Sequence, residues 1–159
     1  MFGKYLVKSV EEPENLEARG GMLVGSCLAG ISFLKGLGFV HAISHMVGAE
    51  YDTQHGLTNA IVLPVVLRYN LPSLDEKRNN MADALGMSDK TSDGFIGEIE
   101  AKLDRLNIPK SLGEIGVPFE CASRISEKAM LDSAASTNPV RGDVASVKEL
   151  VEKSIKKAR

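Results

Sequence analysis

Apolar residues recur along the chain at three- and four-residue intervals, and glycine and proline punctuate them, so the pattern is helical throughout. It predicts a short helix over Phe2–Val10 and a long one over Asn15–Lys35, with Asn15 as N-cap. The Gly36–Gly38 break precedes a third helix over Val40–Glu50. Asp52 is expected to cap a fourth over Thr53–Asn70, which Pro64 must kink or divide. Pro72 suits the first turn of a fifth helix, which runs to Leu85 and stops at Gly86. Further helices are predicted over Ser92–Leu106, Phe119–Leu131 and Asp143–Lys157, joined by the turn Leu112–Pro118 and the loop Ser136–Asp143. Strand signals are scarce, and no clean hairpin lies between alternating runs. The expected architecture is all-α: one helical bundle over residues 1–159, of seven to nine helices.

Composition narrows the class without naming a chemistry. Apolar residues make up 43% of the chain and charged residues 25%, an ordinary globular balance. The net charge of −2 gives no electrostatic case for nucleic acid or an anionic membrane. Lys148, Lys153, Lys156, Lys157 and Arg159 read as a solvated helix end. The uncharged stretch Gly20–Leu34 is shorter than the roughly 20 residues that span a bilayer, so it is expected to be a buried core helix. Gly21, Gly25 and Ala29 recur every fourth residue within it, a face that another helix can approach closely. Cys27 and Cys121 are far apart and in no metal-type spacing; a reduced, cytoplasmic setting is expected. The opening MFGKYLVKSVEEPEN is too charged for a secretory signal.

The chemistry concentrates in one place. His41, His45 and His55, all the histidines of the chain, lie in GLGFVHAISHMVGAEYDTQHG. His41 and His45 share a helix face, and a helix–turn–helix would bring His55 beside them. Neutral imidazole is a ligand for zinc, iron and nickel. Ala42 stands where a metalloprotease H-E-x-x-H motif has its general base, which disfavours a peptidase. Spacing alone leaves His45 and Asp52 open as ligands beside His55.

The surrounding residues carry a resemblance. Gly38, His41, Ala42, His45, Gly48, Ala49, His55, Gly56, Asn59, Ala60, Leu63, Pro64 and Asn70 match a G-x-x-H-a-x-x-H-x-x-G-a … H-G-x-x-N-A-x-x-L-P pattern. It resembles the second signature of the iron-containing alcohol dehydrogenases. ADALGM, LDRLNIPKSLGEIGV and ASTNPV look like that family's later helices and its T-N-P loop. The chain departs in having Gln54 where the family usually has Pro, and in lacking an Asn near Lys35.

The resemblance implies the family's C-terminal, dehydroquinate synthase-like α domain. It makes His41 and His55 metal ligands, His45 a substrate-side catalytic residue near the nicotinamide, and Asp52 a helix cap. The family's metal is held by one Asp and three His, and the other two ligands lie upstream of these residues. The implied function is a metal-dependent, NAD(P)-linked alcohol dehydrogenase passing hydride between a small alcohol or aldehyde and nicotinamide. Fe2+, or Zn2+ or Ni2+, would be half-ligated here. No glycine-rich strand–turn–helix of the dinucleotide-binding kind occurs in these residues, so that N-terminal domain is expected to be absent. The isolated chain is therefore expected to be inactive and not to bind NAD(P). Without the helices it would pack against, apolar surface near Val40, Ile43, Met46 and Val47 should drive homodimerisation or association with the missing half. The alternative is a non-enzymatic helical metal-binding or interaction module that pairs with a separate chain.

Overall fold

The computed structural model describes residues 1–159 as eight α-helices with no strand. They are α1 (Phe2–Glu11), α2 (Leu16–Ser32), α3 (Gly38–Tyr51), α4 (His55–Asn70), α5 (Asp75–Leu85), α6 (Ser92–Arg105), α7 (Ala122–Leu131) and α8 (Val144–Lys156). The all-α expectation holds. Polar side chains start several helices where the sequence placed them. Asn15 Oδ1 accepts from Ala18 N at 2.9 Å, and Thr91 Oγ1 accepts from Gly94 N at 3.0 Å. Asp143 and Ser146 exchange side-chain and backbone bonds in a capping box. Gly86, at φ 72°, ends α5 in the left-handed conformation that glycine adopts without strain.

Two junctions differ from expectation. Asp52 does not begin α4; it closes α3, at φ 51°, with its N–H donating to Gly48 O. The α3–α4 connection is so short that Asp52 still belongs to the end of the earlier helix, and Asp is among the few residues that tolerate this conformation. Gln54 caps α4 instead, its side chain accepting from Leu57 N. Pro72 lies in a 3-10 turn, Leu71–Ser73, and α5 starts only at Asp75. Pro64 is buried inside α4, which runs through it as one helix.

The core is built by α3, α4, α7 and α8. Phe39, Ile43 and Val47 recur every fourth residue on α3 and meet Ile61, Val62 and Val65 of α4. Ile125, Ala129, Val147, Val151 and Ile155 complete the cluster from α7 and α8. Leu71, Ala82, Phe95 and Ile96 form a smaller cluster among α5, α6 and the end of α4.

This packing overturns two expectations about exposed surface. Ile43 and Val47 are fully buried, and Val40 and Met46 are partly buried against the core, because α4 and α7 cover α3. The uncovered surface is on α2, expected to be a buried core helix. Only its Ala18, Gly21 and Gly25 are buried, while Leu23 is 74% exposed and Leu28 and Ile31 stand out beside it. Leu34, just beyond, is 92% exposed. The reason is that α1 is the single α-helix packed extensively along α2. It takes the glycine side: a Cβ at Gly21 would collide with the Tyr5 ring, and one at Gly25 would press on Met1 and Phe2. Leu23, on the far side, and Leu28 and Ile31, further along the helix, are left uncovered. No single helix is long and apolar enough to cross a membrane.

Candidate metal and substrate centre

The sharp α3–α4 turn folds the start of α4 back beside α3. His41 and His45 lie one turn apart on α3, and His55 is the first residue of α4. The three rings form a triangle, with centroids 5.8 Å apart for His41–His45, 5.2 Å for His41–His55 and 5.4 Å for His45–His55. Asp52, the residue that closes α3, forms no metal-capable group with these histidines. The Phe33 ring meets His41 edge-on at 5.8 Å.

Asn59, one turn after His55, ties two of the imidazoles together. Its Nδ2 lies 3.3 Å from His41 Nε2 and 3.0 Å from His55 Nε2, so one amide can donate to both. Both Nε2 lone pairs therefore point to one place, which the Asn59 amide fills in this structure. Asn59 Oδ1 is buried without a partner, and His41 Nδ1 has at most the Leu37 backbone carbonyl beside it. Unpaired buried polar atoms are uncommon and mark places where a further group can be accommodated. Burial, then the neighbouring His55 and His45, hold the His41 pKa below its ordinary 6.5, which favours the neutral, ligating form. His55 is exposed, and Ser44 Oγ lies 3.5 Å from its Nδ1.

The donor set fits a metal in part. His41 and His55 present two converging imidazole nitrogens, but no group of three or more His, Cys, Asp or Glu in the chain could hold an ion. Protein metal centres ordinarily use three or four protein ligands. His45 is engaged elsewhere: its Nδ1 lies 3.0 Å from Asp132 Oδ2, and the Asp132 side chain is only 15% exposed. Burial opposes ionisation of that carboxyl, but the Ala134 amide and His45 outweigh it and leave its pKa lowered.

The helix that carries the first two histidines is held at its N-terminus by side chains about a hundred residues away. Thr137 Oγ1 accepts from Leu37 N at 3.0 Å and Gly38 N at 3.1 Å, and Asn138 Oδ1 accepts from Phe39 N at 3.1 Å. Asn138 also pairs both ways with the Asn70 amide, at 3.1 and 2.8 Å. These bonds satisfy first-turn donors that no intrahelical carbonyl can reach. Gly36, at φ 99°, and Gly38, at φ 68°, let the chain pass this loop: a Cβ on either would overlap Thr137 or Asn138. The motif pattern included Asn59 and Asn138 without a role. Asp132 carried no signal in the sequence.

A helix–turn–helix with this histidine geometry, gripped by a T-N-P loop, joins the motif to the fold, and the family model described as "Fe-containing alcohol dehydrogenase family, C-terminal" matches residues 1–155. The chain belongs to the iron-containing alcohol dehydrogenase family. Within it, the chain is 35% identical over 159 residues to methanol:N,N-dimethyl-4-nitrosoaniline oxidoreductase of Rhodococcus erythropolis, covering 96% of this chain and 37% of that protein. It is 33% identical to 1,3-propanediol dehydrogenase of Citrobacter freundii, covering 94% of this chain and 41% of the relative. Among solved structures, a 1,3-propanediol oxidoreductase superimposes with a TM-score of 0.92 at 31% identity, over 96% of this chain and 42% of that one. The chain thus spans about two fifths of the length of these iron-containing alcohol dehydrogenases.

Proposed function

We propose that these residues form the metal- and substrate-facing half of an NAD(P)-linked alcohol dehydrogenase centre, acting on a small alcohol or aldehyde. The observation that carries this reading is the convergence of His41 Nε2 and His55 Nε2 on Asn59, inside a chain of this family. His41 and His55 would hold the metal, Fe2+ or Zn2+ or Ni2+, as two of its ligands. When bound, the metal supplies Lewis acidity that lowers the pKa of an alcohol. Asn59 Nδ2 sits where the two Nε2 lone pairs meet, and the amide would give up both hydrogen bonds to a metal bound there. His45 faces the substrate and offers a nitrogen to its hydroxyl. Two imidazoles make a weak site, and the 159 residues carry no phosphate-cradling glycine loop. The chain alone is expected neither to turn over alcohol nor to take up NAD or NADP in a calorimetric titration.

Zn2+ titrated into the chain, followed through the histidine side-chain resonances, tests the ligand assignment. His41 and His55 should respond together, and His41→Ala or His55→Ala should abolish the response of the other. An equal response of all three histidines would replace this reading with a three-histidine metal-binding module. A second reading, a module that pairs with a separate chain, draws on the uncovered apolar face of α2. It is compatible with the same ligand pair.

A further inference from the structure

We propose that Asp132 is a positioning residue that holds His45 in the tautomer with its proton on Nδ1, leaving the Nε2 lone pair free for a substrate hydroxyl. The inference rests on the reading of His45 as a substrate-facing residue, and it adds the group that makes His45 competent for that task.

The carboxylate is divided between two jobs. Asp132 Oδ1 accepts from Ala134 N at 2.8 Å, and Oδ2 lies 3.0 Å from His45 Nδ1. An ionised carboxylate can only accept, so in neutral His45 the proton must sit on Nδ1. In a neutral imidazole the other nitrogen is then an acceptor. His45 Nε2 makes no hydrogen bond within the chain, and the side chain is 36% exposed. The opposite tautomer would present an N–H there, which cannot accept from an alcohol.

Asp132 is itself fixed on all sides. It ends α7, its N–H donates to Ala129 O at 3.2 Å, and its carbonyl accepts from Ala135 N at 3.0 Å. The turn that follows delivers Thr137 and Asn138 to the N-terminus of α3. One seven-residue segment, 132–138, therefore grips α3 in two places: at its first amides and at the imidazole about two turns along. The carboxylate is thus carried by the same segment that caps the helix bearing the imidazole.

The test is long-range 15N–1H correlation of the histidine rings in the metal-free 159-residue chain, at mildly alkaline pH. His45 should show a protonated, pyrrole-type Nδ1 and a pyridine-type Nε2. In Asp132→Asn the single carbonyl oxygen is drawn to the Ala134 amide, turning the NH2 toward His45. The pattern should then invert to a protonated Nε2, with the His41 and His55 rings and the Gly38 and Phe39 amides unmoved. A pyridine-type Nδ1 in the unsubstituted chain would overturn the proposal, and so would an Asp132→Asn pattern identical to the parent. Should the variant fail to fold, the parent spectrum alone decides. Metal plays no part in this measurement, so failure of the Zn2+ experiment and failure of this one are read separately.

Discussion

Replacing Asn138 with Ala should loosen the histidine helix from a distance of 99 residues. The side chain is buried and makes four hydrogen bonds: it accepts from Phe39 N and Asn70 Nδ2, and donates to Asn70 Oδ1 and Val140 O. Alanine leaves the Phe39 amide, the Asn70 amide group and the Val140 carbonyl without their partner. Each buried group so abandoned costs about 1–3 kcal/mol. Water entering beside the partly open loop relieves some of this, so a total of about 3 kcal/mol is expected. That is a large share of the roughly 5–15 kcal/mol that holds a domain folded. Urea unfolding should show the midpoint falling with little change in slope. Asn70→Ala removes the other half of the pair, so the double variant should cost less than the two singles added, by about 1 kcal/mol or more. Amide exchange localises the effect, since Phe39 N–H should lose protection before the amides of α8. A loss below about 1 kcal/mol for Asn138→Ala, with Phe39 still protected, would mean that α3 does not depend on this loop.

Other consequences can be checked in parallel. The His41 pKa lies below 6.5, so the folded chain binds fewer protons there than the unfolded one; stability should fall as pH drops from about 6.5 toward the folded value, and His41→Gln should flatten that slope in pH-dependent urea titrations. Gly36→Ala, at φ 99° and against Thr137, should cost about 2 kcal/mol by thermal unfolding, whereas Gly97→Ala, with open space around it, should be neutral or stabilising. The apolar face of α2 should make the chain associate at micromolar concentration, and Leu28→Glu with Ile31→Glu should return it to a 17.1 kDa monomer in sedimentation; a parent chain that is already a clean monomer would refute this.

The helices were legible because their signals are local. Asn15 and Asp143 act within three residues of themselves, and Gly86 stops α5 by its own conformation. The histidine cluster was legible for a related reason: four-residue spacing and a short turn suffice to bring the rings together. Asp52 was misjudged because a capping residue between two close helices can serve either, and only the backbone angle decides. Burial of α2 was misjudged because an apolar run shows what a helix could bury, whereas what it does bury depends on the neighbours present. Asp132 was invisible because its partner is 87 residues away and nothing local distinguishes it from any helix-ending aspartate.

The long reach from Thr137 and Asn138 to α3 also sets an order of events during synthesis. When α3 leaves the ribosome its first amides have no partner, and none exists until about a hundred more residues have been made. At roughly 5–20 residues per second this is an interval of about 5–20 s. For that time the peptide bearing His41 and His45 can form local turns but cannot settle its entry angle or the orientation of its rings. The histidine cluster therefore matures late, although it is translated about a hundred residues before the loop that caps its helix.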